Sequence, residues 1–244
     1  MKRSLMIVIF FCIATQLGLS QIRLEFTAHQ EDKNDGKKTT FWAKGCDARM
    51  EDVGDKEKMY MLVKDCGKTT IAVSEEEKAA VKMPPMMSSP APDINTGALF
   101  MQGKPQITVE KLEEKPGPSI LGRATTYYRF KSVHRPDARI QEPVKLIVEE
   151  EFWTDPTLDM PVLDSMLGKA PVGDAHESER TAFAIMKGLP LRHRTIVTIE
   201  RAGARQAQPA FIQEVLSISK EPFDESLLQV PKGFQLVDMA SAQQ

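Results

Sequence analysis

Residues 39–83 read TTFWAKGCDARMEDVGDKEKMYMLVKDCGKTTIAVSEEEKAAVKM, and this stretch decides the fold. Three runs rich in residues that suit a pleated surface, MYMLVKD, TTIAVS and AAVKM, alternate with polar turns. The turns are GDKEK (54–58), CGK (66–68) and SEEEK (74–78). Loops this short join only neighbouring strands, so the three runs predict an antiparallel meander. Folding the Cys46-side strand back symmetrically about GDKEK sets Val53 opposite Met59, Met50 opposite Leu62 and Cys46 opposite Cys66. Directly opposed residues lie ~4.5–5.5 Å apart at Cα, which a disulfide can span. A one-residue slip would turn the two side chains to opposite faces, as separate buried thiols. In an exported chain the first arrangement gives a disulfide between Cys46 and Cys66. Its spacing is unlike Cys-x-x-Cys, so the bond is expected to be structural rather than redox-active.

The first residues predict export. Lys2 and Arg3 precede an uncharged apolar run over residues 5–19, and Gly18-Leu19-Ser20 supplies the small residues a signal peptidase reads. The run is shorter than the ~20 residues a membrane-crossing helix needs. Residues 1–20 are therefore expected to be a cleaved signal peptide, with the mature chain starting near Gln21 in an oxidising periplasmic or extracellular setting. Losing Lys2 and Arg3 and no acid takes the formal charge from −2 to −4. A weakly acidic chain with interspersed signs carries no footprint for nucleic acid. With 41% hydrophobic and 27% charged residues it has the composition of a folded domain. No second long apolar run follows, so no transmembrane segment is expected in the mature chain.

Working outward, IRLEFTAH (22–29) alternates strictly and predicts a half-buried strand. Residues 84–104 hold four prolines within a short distance, which excludes a central strand and predicts a long loop. Strands resume at ITVEKLEE (107–114), RATTYYRFKSV (123–133) and VKLIVEEEFW (144–153). In the second of these Tyr128 and Phe130 lie on one side and Tyr127, Arg129 and Lys131 on the other. Residues 161–188 predict short helices, with Asp174 as a cap, Ala182, Phe183 and Met186 as the apolar positions and Gly188 as the stop. HRTIVTIER (193–201) and FIQEVLSISK (211–220) add two strands, and residues 239–244 form a loose tail. The sum is nine or ten strands and two modest helices without βαβ alternation. The expected fold is mainly β: one antiparallel curved sheet or half-barrel over residues 21–238, covered by one or two helices and the 84–104 loop.

The order of IRLEF, FWAKGCDARME, MYMLVKDCGKTTIAVSEEEKAAV, SILGRATTYYRF, KGLPLRHR and PFDESLLQVPKGFQLV resembles a family of uncharacterised bacterial envelope proteins, domain of unknown function 4412. That family is similar in turn to the lipoprotein-carrier (Lol-type) class. The resemblance implies a half-barrel with an apolar concave face under a lid of helices and loop. Carriers of that shape hold acyl chains.

No catalytic constellation is visible. Gly67-Lys68-Thr69-Thr70 lacks the upstream glycine of a phosphate loop and joins two strands. His176-Glu177 lacks the second histidine of a zinc-protease helix, and no Gly-x-Ser-x-Gly elbow occurs. His29, His134, His176 and His193 are scattered and read as surface residues, so no metal or other cofactor is expected. Met83, Met86 and Met87 read as adaptable apolar fillers rather than copper(I) ligands. Glu150 shares a strand face with Val144, Leu146, Val148 and Phe152, and is expected at the sheet rim or paired with an arginine such as Arg129. Two functions follow. One is a non-enzymatic exported binding protein that shelters a lipid or other hydrophobic ligand. The other is a structural or interaction protein of the cell envelope with a self-filled interior and a protein partner.

Overall fold

The computed structural model describes residues 21–33, 36–54, 58–83, 106–135, 144–162 and 177–238. The signal segment 1–20, the loop 84–104, residues 163–176 of the helical region and the tail 239–244 lie outside the described residues, as do Asp174, His176, Met86 and Met87.

Among the described residues, thirteen strands form one curved sheet that does not close. They are β1 (Gln21–Gln30), β2 (Lys37–Lys44), β3 (Asp47–Asp52), β4 (Met59–Lys64), β5 (Thr69–Ser74), β6 (Ala79–Met83), β7 (Gln106–Pro116), β8 (Thr126–Arg135), β9 (Val144–Asp155), β10 (Leu189–Arg201), β11 (Ala204–Ala207), β12 (Phe211–Ser219) and β13 (Gln235–Asp238). The spatial order is β13-β6-β5-β4-β3-β2-β1-β12-β10-β9-β8-β7, with β11 attached to β10. Two meanders, one from each half of the chain, are thus joined where β1 pairs with β12. The mainly-β expectation holds. The strand count exceeds it for local reasons. FWAKGCDARME is two strands, because Gly45 at φ 60 opens a two-residue hairpin turn, Gly45-Cys46, between Lys44 and its partner Asp47. The short β11 and β13 carry too few residues to show alternation.

Neighbouring registers carry one apolar face across the whole sheet. Ile22, Leu24, Phe41, Ala43, Ala48 and Val63 lie on it in one half. Tyr128, Phe130, Phe152 and His193 lie on it in the other. The chain itself covers this face. Just past β9, Leu158, Met160 and Val162 turn back and pack with Ile22, Phe41, Ala43 and Leu191 in one buried cluster. Helix α1 (Glu177–Phe183) and the turn after it set Phe183 and Met186 onto Tyr128, Phe130 and Phe152.

Strands β4 and β5 are apolar on both faces, so their second face needs its own cover. The carboxy-terminal segment supplies it. After β12 the chain makes a 3-10 turn at Glu225–Leu228, then lays Val230 and Phe234 over Tyr60, Leu62, Ile71, Val73 and Ala80. It ends as β13 beside β6, in parallel. Having crossed the sheet, the segment arrives running the same way as β6, so these two strands pair in parallel while the other described pairs are antiparallel.

Candidate functional site

On the face opposite the main core, β1 to β4 build an ordered row of side chains. Register places Arg23, Trp42 and Arg49 side by side on β1, β2 and β3, with Glu25, Thr40, Glu51 and Tyr60 as the next row. The Arg49 guanidinium lies 3.6 Å from the Tyr60 ring centroid and 5.7 Å from that of Trp42, while Arg23 stands 5.9 Å from Trp42. Each arginine also holds a carboxylate. Arg49 donates from Nε and Nη2 to Glu51 Oε2 at 2.9 and 2.5 Å, and Arg23 Nη2 lies 2.7 Å from Glu25 Oε1. These rows floor an open groove of about 460 Å³, which Val53 and Met59 also line. Both of those apolar side chains are strongly exposed. The Tyr60 residue is 4% exposed, yet its hydroxyl has no hydrogen-bond partner among the described residues. Burial raises its pKa, with nearby Glu75 and Glu51 adding to the shift and Arg49 opposing it.

The apolar face carries a polar cluster of its own. Glu150 is not at the rim and does not meet Arg129. It is 9% exposed, and its Oε1 lies 3.3 Å from Nε2 of His193, which is 4% exposed. Arg129 pairs with Glu149 on the other face. Pleat parity explains the correction, since Glu149 and Glu150 must point to opposite sides of β9. The expectation that His193 is a surface residue fails for the same reason: register puts it opposite Phe152, whose ring stacks on it at 4.2 Å. Thr195 Oγ1 is 3.1 Å from the same nitrogen. With its proton on Nε2 the imidazole donates to Glu150; with the proton on Nδ1 it accepts from Thr195. His134 is half-buried, its Nε2 3.1 Å from Ser132 Oγ, and His29 is half-buried on β1. The rings of Phe130, Phe152 and Phe183, at centroid separations of 5.1 to 6.1 Å, fill the space around Glu150 and its neighbours.

Cys46 and Cys66 form a disulfide, with Cα atoms 4.3 Å apart. The strand register between them is not the symmetrical one. Met50 pairs with Met61 and Arg49 with Leu62, one residue off the register centred on GDKEK. The cysteines meet because both lie outside the ladder. Cys46 sits in the turn before β3 and Cys66 in the 3-10 turn Asp65–Gly67 after β4, where side-chain alternation no longer applies.

Among the described residues no group of three or more His, Cys, Asp or Glu is placed to hold a metal ion, and no helix is long and apolar enough to cross a membrane. The Trp42 groove could not have been found from the residue types, because it depends on which residues of four strands stand in register. The cue that was present, an arginine and an aromatic at matching positions of a meander, becomes visible only once Gly45-Cys46 is read as a turn.

Comparison with protein-family models finds no match, and comparison with curated proteins finds none either. Among solved structures, the chain is similar to an uncharacterised conserved protein from Thermus thermophilus. The two share 12% identity over 90% of this chain and 91% of the other, at a TM-score of 0.39. It is also similar to part of PNGF-II, at 11% identity over 92% of this chain and a TM-score of 0.42. The chain matches 32% of the length of PNGF-II.

Proposed function

We propose that this is an exported, non-catalytic binding protein of the cell envelope, with an interior filled by its own side chains, that acts by pairing with another envelope protein. One observation carries the reading. The apolar face that a carrier would offer to a ligand is packed by Leu158, Met160 and Val162 on one side and by Phe183 and Met186 on the other. Export is supported by the Cys46–Cys66 disulfide, which persists in oxidising compartments. A structural role for Glu150 and His193 is supported by their burial and by the Phe152 ring stacked on the imidazole.

A second reading, a protein that shelters a lipid or other hydrophobic ligand, draws on Met61, Ala72 and Val81. These stand in one row of the same face at the far side of the sheet and are half-buried. Native mass spectrometry of protein purified from its own envelope separates the two. The mass of the chain alone supports the interaction protein, and an adduct of lipid mass supports the carrier. The amino-terminal sequence of the same sample tests export, with a start near Gln21 as the expected result.

A further inference from the structure

We propose that the groove around Trp42 is a binding site for a neutral, polyhydroxylated ligand, a saccharide. Its volume, about 460 Å³, lies within the ~300–1,000 Å³ range of small-ligand sites. Its floor is built on four consecutive paired strands, so its side chains hold their relative positions without help from a loop.

Charge pairing in the groove decides the class of ligand. Arg49 is bonded to Glu51 and stacked on Tyr60, and Arg23 is paired with Glu25. Lys58, Asp52 and Glu75 line the groove as well, so both signs are interspersed along it, and an anion would sit among carboxylates and a cation among guanidinium and ammonium groups. A hydrocarbon would strip water from the charged groups and return nothing. Hydroxyl groups both donate and accept, so a polyol can bridge guanidinium and carboxylate while leaving the pairs in place. The carbon-bound hydrogens of a sugar ring have Trp42 and Val53 as dispersion partners.

Tyr60 is the independent pointer to a ligand. It lines the groove, it is 96% buried (4% exposed), and its hydroxyl lacks any partner among the described residues. Buried hydroxyls are ordinarily hydrogen-bonded, and a ligand oxygen that reached this one would supply the missing partner.

The groove lies on the opposite face from the packed interior, so this inference does not rest on the proposed function. A lipid adduct in the mass spectrum would leave it untouched. The test is titration of the oxidised mature protein, by calorimetry and saturation-transfer NMR, with cellotriose, maltotriose, laminaritriose and triacetylchitotriose. The β-1,4-linked glucuronate trimer and deacetylated chitotriose serve as the anionic and cationic counterparts on the cellotriose backbone. At least one neutral trisaccharide should bind, and its charged counterparts about tenfold more weakly. Tyr60→Phe keeps the ring and should weaken binding about fivefold. Trp42→Phe should also weaken it, whereas Trp153→Phe, on β9 of the same face, should not. Circular dichroism establishes that each variant is folded. The proposal is overturned if no neutral trisaccharide binds at about 10 mM, if a charged counterpart binds more tightly, or if binding is unchanged in both the Tyr60 and Trp42 variants.

Discussion

Cys46 and Cys66 close the open end of the β3–β4 hairpin, joining the turn that enters β3 to the turn that leaves β4, and the Cys66 amide donates to the Cys46 carbonyl at 2.9 Å. The bond restrains a loop spanning 20 residues of separation, for which chain entropy alone gives about 3 kcal/mol. Replacing both cysteines by serine should lower the urea unfolding free energy by that order. Wild-type protein in reductant should then unfold with the double variant, and a midpoint indifferent to reductant would contradict the bond.

Asp155 anchors the cover of the apolar face. Its side chain is almost fully buried, accepts from the Thr157 amide and hydroxyl at 2.9 and 2.7 Å, and pairs with Arg123 at 2.7 Å. The turn so formed sends Leu158, Met160 and Val162 back over the sheet. Burial alone would raise the Asp155 pKa, but the Thr157 hydrogen bonds and Arg123 outweigh it and hold the carboxyl below its ordinary value of 3.8. The unfolded chain therefore takes up this proton first as pH falls. The contribution of Asp155 is present above about 3.8 and disappears as pH drops through the lower folded value. Asp155→Asn should be less stable than wild type at neutral pH, and the gap between them should narrow below pH 3.8. A gap of constant size across an acid titration would contradict this.

Two glycines at positive φ should respond very differently to alanine. At Gly188, φ +79, an added Cβ would sit 1.9 Å from the Asp155 carbonyl oxygen, backbone that cannot swing aside. At Gly54, φ +90, no described residue beyond its chain neighbours lies within 4 Å. Gly54→Ala should cost about 1–2 kcal/mol, the penalty of the left-handed conformation alone. Gly188→Ala should cost markedly more or prevent folding. Equal thermal shifts for the two would show that Gly188 does not make this approach.

Phe183 anchors α1 on the sheet, in edge contact with Phe130 at 5.1 Å and Phe152 at 5.5 Å. Phe183→Ala should destabilise by about 3–5 kcal/mol. Hydrogen exchange should quicken first in α1 and β7, which pack together. Unchanged protection there would mean that the helix is held by something else.

Alternation made much of the sheet legible, because a strand with one buried face must alternate. IRLEFTAH and VKLIVEEEFW fall within β1 and β9, and the facing of Tyr128 and Phe130 against Tyr127 and Arg129 follows from it; TTIAVS, which is β5, was legible from its β-favouring residues instead. Register was not legible in β4. Apolar residues on both of its faces, Tyr60 and Leu62 under the carboxy-terminal segment and Met61 and Val63 opposite, leave the hydrophobic pattern indifferent to a one-residue slip. The carboxy-terminal cover escaped notice because PFDESLLQVPKGF has neither period, and its apolar residues gain meaning only where they land. Glu150 was misplaced because its partner, His193, comes from β10, a strand that lies beyond α1 in the chain.

The central claim is that the apolar face is a packed core rather than a ligand cavity, and Ala43 tests it most directly. Ala43 is fully buried, opposite Ile22 and Ala48, in the cluster with Leu158, Met160 and Val162. The measurement is the urea unfolding free energy of Ala43→Leu. A packed core has no room for the larger side chain, and the predicted result is a loss of about 1–3 kcal/mol. Unchanged or increased stability would mean that the face holds open space, and would contradict the account.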